Sequence, residues 1–272
     1  MSQALSKALN EKLSGQQIEH YRSQGLLFPI PVLSADEVAY FRQHHDDFDR
    51  ACGGKATAQQ KGQSHLHLKW ACDLATHPAI LDVVETIIGG DILIHSSTIF
   101  CKYPGDASFV SWHQDSCYWG LSEDRLVSAW VALTDSDSNN GCLSIIPATQ
   151  NSIFDHIEKP AKGNMLGKGL TVVQQLDTDV AEDVILRAGE MSLHHANIVH
   201  GSRPNTSDRP RIGFAVRYVA TAVKQKLPHH RVILARGEDR YGHFQLQQKP
   251  TAGLSEGLQA QLSFDGELSR KY

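Results

Sequence analysis

Apolar positions change their rhythm near residue 90: before it they recur at helical intervals, and after it they come in short runs separated by Gly, Pro and Asn. The first third is therefore expected to be helical and the remainder mostly strands. A first helix is read over 16–22, and Ser34 followed by Glu37 is a capping-box start for a second. A third covers 78–88, with Gly89-Gly90 ending it. Between the first two, Gly25-Leu-Leu-Phe-Pro-Ile-Pro-Val-Leu reads as a short extended segment. Strands are expected over 92–103, 126–133, 142–146, 184–186, 191–195 and 212–220. Many short strands with turn residues between them predict a mainly β molecule with flanking helices, closed or double-sheeted in the jelly-roll manner. One domain spans 1–272: a helical part over about 1–90, a β-barrel core over about 91–222 and a C-terminal arm over about 223–272. Residues 151–169, rich in Gly and Lys, read as a long insertion able to cover a site.

Composition supports one globular unit. Apolar residues make up 41% and charged residues 21% of 272, near globular averages. A formal charge of -4 leaves no basic footprint for nucleic acid. Met1-Ser-Gln-Ala-Leu is too polar to begin a secretion signal, and no apolar run is long enough to span a bilayer. Five cysteines, odd in number and without paired metal spacing, read as reduced thiols. A cytoplasmic protein is the expectation.

The chemistry concentrates in His113-Gln-Asp115 and His200. On a strand, residues two apart project to one side, so an imidazole and a carboxylate in H-x-D can meet one ion. Two imidazoles and one carboxylate suit one face of Fe(II), leaving positions open for a co-substrate and O2. In a chain with 15 histidines, H-x-D alone is also a plausible chance tripeptide. Arg211 adds weight: a turn over Gly201-Ser-Arg-Pro-Asn205 and a returning strand would bring its guanidinium back towards His200. A planar guanidinium binds a carboxylate through two parallel hydrogen bonds, which suits a dicarboxylate such as 2-oxoglutarate. From position alone, a solvated Arg at a strand start is equally consistent.

These residues, with Trp130 in Ser128-Ala-Trp-Val-Ala-Leu, Asn140-Gly-Cys-Leu, Pro147-Ala-Thr, Gly189-Glu and His200-Gly-Ser, resemble the phytanoyl-CoA dioxygenase family of Fe(II)/2-oxoglutarate oxygenases from about residue 18 to about 222. The resemblance implies a double-stranded β-helix, iron ligands at His113, Asp115 and His200, and an oxoglutarate-binding Arg211. It also implies Thr98, Gln114 and Trp130 as neighbours of the co-substrate. Halogenating relatives replace the carboxylate ligand with a small residue, so Asp115 favours hydroxylation. Gly213 departs from relatives that carry a serine beside the arginine, which suggests that Arg211 relies on another hydroxyl, such as Thr98.

Substrate is less legible. Cys117-Tyr-Trp-Gly-Leu, Phe28-Pro-Ile-Pro-Val-Leu and Asp239-Arg-Tyr-Gly-His-Phe are similar to the bacterial small-molecule branch, including dioxygenases acting on 2-aminoethylphosphonate. A phosphonate needs several cations or NH donors. His67, Lys102, Tyr118 and Arg203 are the substrate-binding candidates, with Arg217 also conceivable, and Lys69 is an alternative to His67 as pocket wall. Of His194 and His195, at most one faces inward, in packing or support of the ligands. His229-His230-Arg231 and Arg240-Tyr-Gly-His243 read as charged surface, or as an anion-binding lid. Hydroxylation of another small metabolite is the alternative substrate reading. A non-catalytic metal or metabolite binder is the alternative of another class, disfavoured because it has no need of both the triad and Arg211.

Overall fold

Ser34 and Glu37 form the capping box that the sequence predicts: the Ser34 hydroxyl accepts from the Glu37 amide, and the Glu37 carboxylate accepts from the Ser34 amide at 2.7 Å. They open the longest helix of a computed structural model that describes residues 12–123, 125–226 and 231–260, without the side chain of Tyr118. Its helices include α1 (Gly15–Gln24), α2 (Ala35–Ala51), α3 (Ala58–Lys61), α4 (Lys69–Ala75) and α5 (Pro78–Ile88), and residues 254–260 are also helical. Gly25, in the left-handed region, closes α1, and Gly89 closes α5.

Thirteen strands accompany them among the described residues. The first seven are β1 (Leu26–Pro31), β2 (Ile92–Lys102), β3 (Val110–His113), β4 (Leu126–Ala132), β5 (Leu143–Ile146), β6 (His156–Glu158) and β7 (Leu170–Val172). They are followed by β8 (Glu182–Val184), β9 (Glu190–His194), β10 (Val199–Ser202), β11 (Arg211–Ala220), β12 (Arg231–Arg236) and β13 (Gln245–Leu246). The major sheet runs β1-β9-β4-β11-β2-β12-β13, and a minor sheet runs β3-β10-β5-β8. This is the double-sheeted jelly roll that the patterning predicts. β6 and β7 pair with each other, so the expected insertion over 151–169 contains half of a hairpin.

The helices cover the outer face of the major sheet. α5 buries Ile80, Val83 and Val84, and with Phe48, Trp70, Phe214 and Tyr218 they form the largest apolar cluster. Each large side chain buried there contributes roughly 1.5–3 kcal/mol. Trp130, Ala132 and Ala215 on the inner face of the major sheet pack with Ile145 of the minor sheet and Ile198. Polar chemistry enters at one end of this second cluster.

One expected connection is different. β10 and β11 are not a hairpin: β10 pairs with β3 and β5, whereas β11 pairs with β2 and β4 in the other sheet. The turn after His200 therefore carries the chain across the barrel. Asn205 braces that crossing by donating to the carbonyls of Lys102, Tyr103 and Arg209 at 2.7–3.1 Å. Arg211 consequently faces His113 and His200 from the opposite sheet.

Candidate metal centre and active site

His113 is the last residue of β3 and His200 lies in β10, directly opposite it in the ladder. Their ring centroids are 4.2 Å apart. Asp115 is not on the same strand, as its spacing suggests; it opens a 3-10 turn, Asp115–Tyr118. Gln114 between them is extended, at φ -113° and ψ 130°, so the i, i+2 rule still carries the carboxylate to the side of His113. Asp115 Oδ1 stands 3.4 Å from His113 Nε2 and 3.9 Å from His200 Nε2. One ligand atom from each residue lies within 4.8 Å of the others, a spacing that can hold a metal ion. Each imidazole has its Nδ1 against a backbone carbonyl, His113 with Ser111 at 2.9 Å and His200 with Ile198 at 3.0 Å. That arrangement fixes the Nδ1-H tautomer and leaves both Nε2 lone pairs aimed at one point.

The electrostatics agree. Burial pushes the Asp115 pKa up, but Arg217, the hydrogen bond with His113 and the charge of His200 hold it well below the ordinary value. Arg217 Nε is 3.5 Å from Asp115 Oδ2, and the Ser128 hydroxyl donates to the same oxygen at 3.3 Å. The outer oxygen is thus occupied and Oδ1 is left to the imidazoles. Burial, followed by His113, drives the His200 pKa well down, so its imidazole is neutral and able to ligate.

Arg211 lines the same inner pocket as His113 and His200. It is 2% exposed, its Nε has no hydrogen-bond partner, and among the described residues no carboxylate pairs with it. Burial lowers its pKa to about 10, which still leaves it cationic. A buried guanidinium without an anion is costly, so a site that keeps one is suited to an incoming carboxylate. The Trp130 indole lies under it, with the guanidinium carbon 5.2 Å from the ring centroid. Gly213 explains that placement, because a Cβ there would overlap the indole. The absence of a side chain at 213 is what makes room for the indole. The nearby hydroxyl is that of Ser202, which lines the pocket with Arg211.

Several expected neighbours fall elsewhere. Thr98 accepts from Arg217 Nη1 at 3.1 Å and sits opposite Ala215 in the sheet, away from Arg211. Gln114 turns to the opposite face from the ligands, where its amide donates to the carbonyls of Ser152 and Asn197 and accepts from the Phe154 amide. It braces the ligand-bearing segment and does not line the pocket. Lys102 is fully buried, its ammonium given to the Ser202 hydroxyl at 2.7 Å and to the Arg203 carbonyl. Burial, then Arg211, lowers its pKa to about 6. Arg203 is a surface residue, 62% exposed, ion-paired to Asp183 at 3.3 Å. His67 follows a 3-10 turn, Ser64–Leu66, and packs under the backbone of Gly257, outside the pocket and cleft. Lys69 forms a solvated pair with Asp73. Backbone alone is described for Tyr118, and His229 and His230 lie outside the described residues. Of the tandem histidines, His194 faces the inner pocket, 5.1 Å from the His200 ring.

Arg217 is the residue that the sequence reading undervalued. Positions 211, 213, 215 and 217 of β11 share one face, so the period of two that makes Arg211 a site residue also places Arg217 there.

Comparison with known proteins bears on this geometry. Residues 21–213 match the phytanoyl-CoA dioxygenase family. The chain belongs to that family. A probable alpha-ketoglutarate-dependent hypophosphite dioxygenase of Stutzerimonas stutzeri is 26% identical over 159 residues, covering 57% of this chain and 55% of the relative's length. The non-heme monooxygenase ThoJ superposes with a TM-score of 0.80 at 27% identity, covering 94% of this chain and 96% of ThoJ. CytC3, solved with Fe(II) and alpha-ketoglutarate, shares the fold at a TM-score of 0.65 and 22% identity, covering 88% of this chain and 95% of CytC3. Family, fold and triad make this member an Fe(II)- and 2-oxoglutarate-dependent dioxygenase.

Proposed function

We propose that this dioxygenase hydroxylates a C-H bond of a small organophosphonate, such as 2-aminoethylphosphonate at the carbon next to phosphorus. The carrying observation is the pairing of a complete His113-Asp115-His200 triad with the unpartnered, buried Arg211 across one pocket. The triad is the seat for Fe(II), and Arg211 receives the far carboxylate of oxoglutarate, with Ser202 beside it and Trp130 as floor. Bound iron supplies the O2 chemistry, in which substrate, oxoglutarate and O2 give alcohol, succinate and CO2.

The chain's own work is positioning. Backbone carbonyls of Ser111 and Ile198 hold each imidazole in the ligating tautomer. Arg217 and Ser128 fix the Asp115 carboxylate, whose presence favours hydroxylation over halide transfer. Phe100, Val110, Leu143 and Leu166 make the remaining wall apolar, which limits water around the reacting centre. The phosphorus oxyanion named for the S. stutzeri relative supports a phosphorus-containing substrate here. The test is succinate release under air, with Fe(II) and oxoglutarate, across phosphonates, amino acids and lipids, together with mass spectrometry of the product. Phosphonate-dependent succinate matched by a hydroxylated phosphonate is expected. Stimulation by another class, with phosphonates inert, would overturn the substrate assignment.

A further inference from the structure

An outer cleft of about 1050 Å³ meets the inner pocket at Phe100, Leu166 and Arg217; of the substrate-binding candidates Arg217 lines it, whereas His67, Lys69, Lys102 and Arg203 do not. Its charged lining consists of Lys55, Lys61, Lys168 and Arg217 against Asp106 and Asp115. Most of these charges are already answered. Arg217 is held by Asp115 and Thr98, and Lys168 pairs with Glu158 at 3.4 Å. The Asp106 carboxylate accepts from the Ser108 amide at 2.8 Å. Lys55 and Lys61 remain.

Lys61 is 8% exposed, yet among the described residues neither it nor Lys55 has an ion pair or a hydrogen bond from its ammonium. The Lys61 stem is packed while the residue lines the cleft, the arrangement that leaves an ammonium open to an incoming anion. Both instead rest on the ring of Tyr103, with Nζ at 4.3 Å from its centroid for Lys55 and 5.5 Å for Lys61. That ring is fixed: its hydroxyl donates to Asp49 Oδ2, while Asp49 Oδ1 accepts from the Ala56 amide at 3.0 Å. Asp49 thereby fastens the ring and the loop carrying Lys55 together. A basic residue at a helix C-terminus needs no ligand, but α3 has only four residues and little dipole to complement.

Lys61 is also tied to the metal ligands. Gly62, next to it, bridges Thr98; Thr98 accepts from Arg217; and Arg217 reaches Asp115. We infer that Lys55 and Lys61, seated on Tyr103, are the anion-binding residues for substrate, receiving the phosphonate group while the attacked carbon faces the triad. This rests on the phosphonate reading above, although the seat itself requires only a small oxyanion.

The test is calorimetric titration of the Fe(II)- and oxoglutarate-loaded protein, without O2, using methylphosphonate, acetate and, as an anion-free control, ethanolamine. Lys61→Met and Lys55→Met keep the stem on the ring and remove the charge; Lys61→Arg restores it. Each Met variant should weaken methylphosphonate binding by about tenfold or more, the worth of one charge-assisted hydrogen bond. The double variant should lose it, Lys61→Arg should regain most of it, and oxoglutarate affinity should stay within about twofold under that same accounting. Unchanged methylphosphonate binding in the double variant overturns the seat, as does a parallel loss of oxoglutarate. If turnover identifies a carboxylate substrate, and acetate binding falls in the Met variants, the phosphonate reading fails and the seat stands. If phosphonates are turned over normally by the double variant, the seat fails and the reading stands. A wild-type protein that binds none of these anions rejects both.

Discussion

Arg211 illustrates how a single residue's value depends on what is missing around it. Its guanidinium is buried beside a tryptophan, with an orphan Nε and no carboxylate among the described residues. Arg211→Ala should raise the oxoglutarate requirement by roughly 10- to 150-fold, the loss of a charge-assisted hydrogen bond worth about 1.5–3 kcal/mol. Titrating succinate production against oxoglutarate checks this, and an unchanged requirement rejects the role. Gly213→Ser should displace Trp130 and cost about 1–3 kcal/mol of stability through overpacking. Denaturant unfolding measures that cost, and a neutral result would mean that the indole moves freely. Residue types and spacing made His113, Asp115, His200 and Arg211 legible, because i, i+2 geometry survives even where the strand ends at His113. Thr98, Gln114, Lys102, Arg203 and His67 were misread because a sequence gives polarity without direction: Gln114 faces away from its neighbours, and Lys102 is capped by Ser202.

Elements with local signals were the readable ones. The capping box at Ser34, the helix over 78–88 and its Gly89 stop all depend on contacts a few residues apart. Ser34→Ala should destabilise the protein by about 1 kcal/mol while leaving oxoglutarate affinity unchanged, since α2 lies on the outer face. Thermal melting with and without oxoglutarate separates the two effects; a shift in affinity would show that α2 reaches the oxoglutarate pocket as well as Tyr103. Short elements were not readable. α3, the 3-10 turn at Ser64–Leu66 and the β6-β7 hairpin are too brief for periodicity to show, and the first of them carries Lys61. Long-range pairing was also invisible: the turn after His200 looks like a hairpin until β10 and β11 are seen in opposite sheets.

At the scale of the molecule, the two sheets enclose His194 and His200, and burial lowers the pKa of each. Burial lowers the His194 pKa from 6.5 to about 4. Between those values the unfolded chain binds the proton and the folded chain does not, so stability is lost as pH falls through this window, by about 3 kcal/mol for a fully expressed shift. Metal-free protein should therefore melt lower at pH 4 than at pH 6.5, and His194→Gln should flatten the dependence. An equally steep profile in that variant would assign the effect to other groups. No described helix is long and apolar enough to cross a membrane. The meeting of pocket and cleft at Phe100, Leu166 and Arg217 finally sets a sequence of events. Entry to the pocket by way of this cleft would place oxoglutarate before substrate and release succinate after product. Added succinate should consequently compete with oxoglutarate and not with substrate in steady-state inhibition, and competition with substrate alone would refute the order. The enzyme's timing is thus written in its depth: the last arrival is the first to leave.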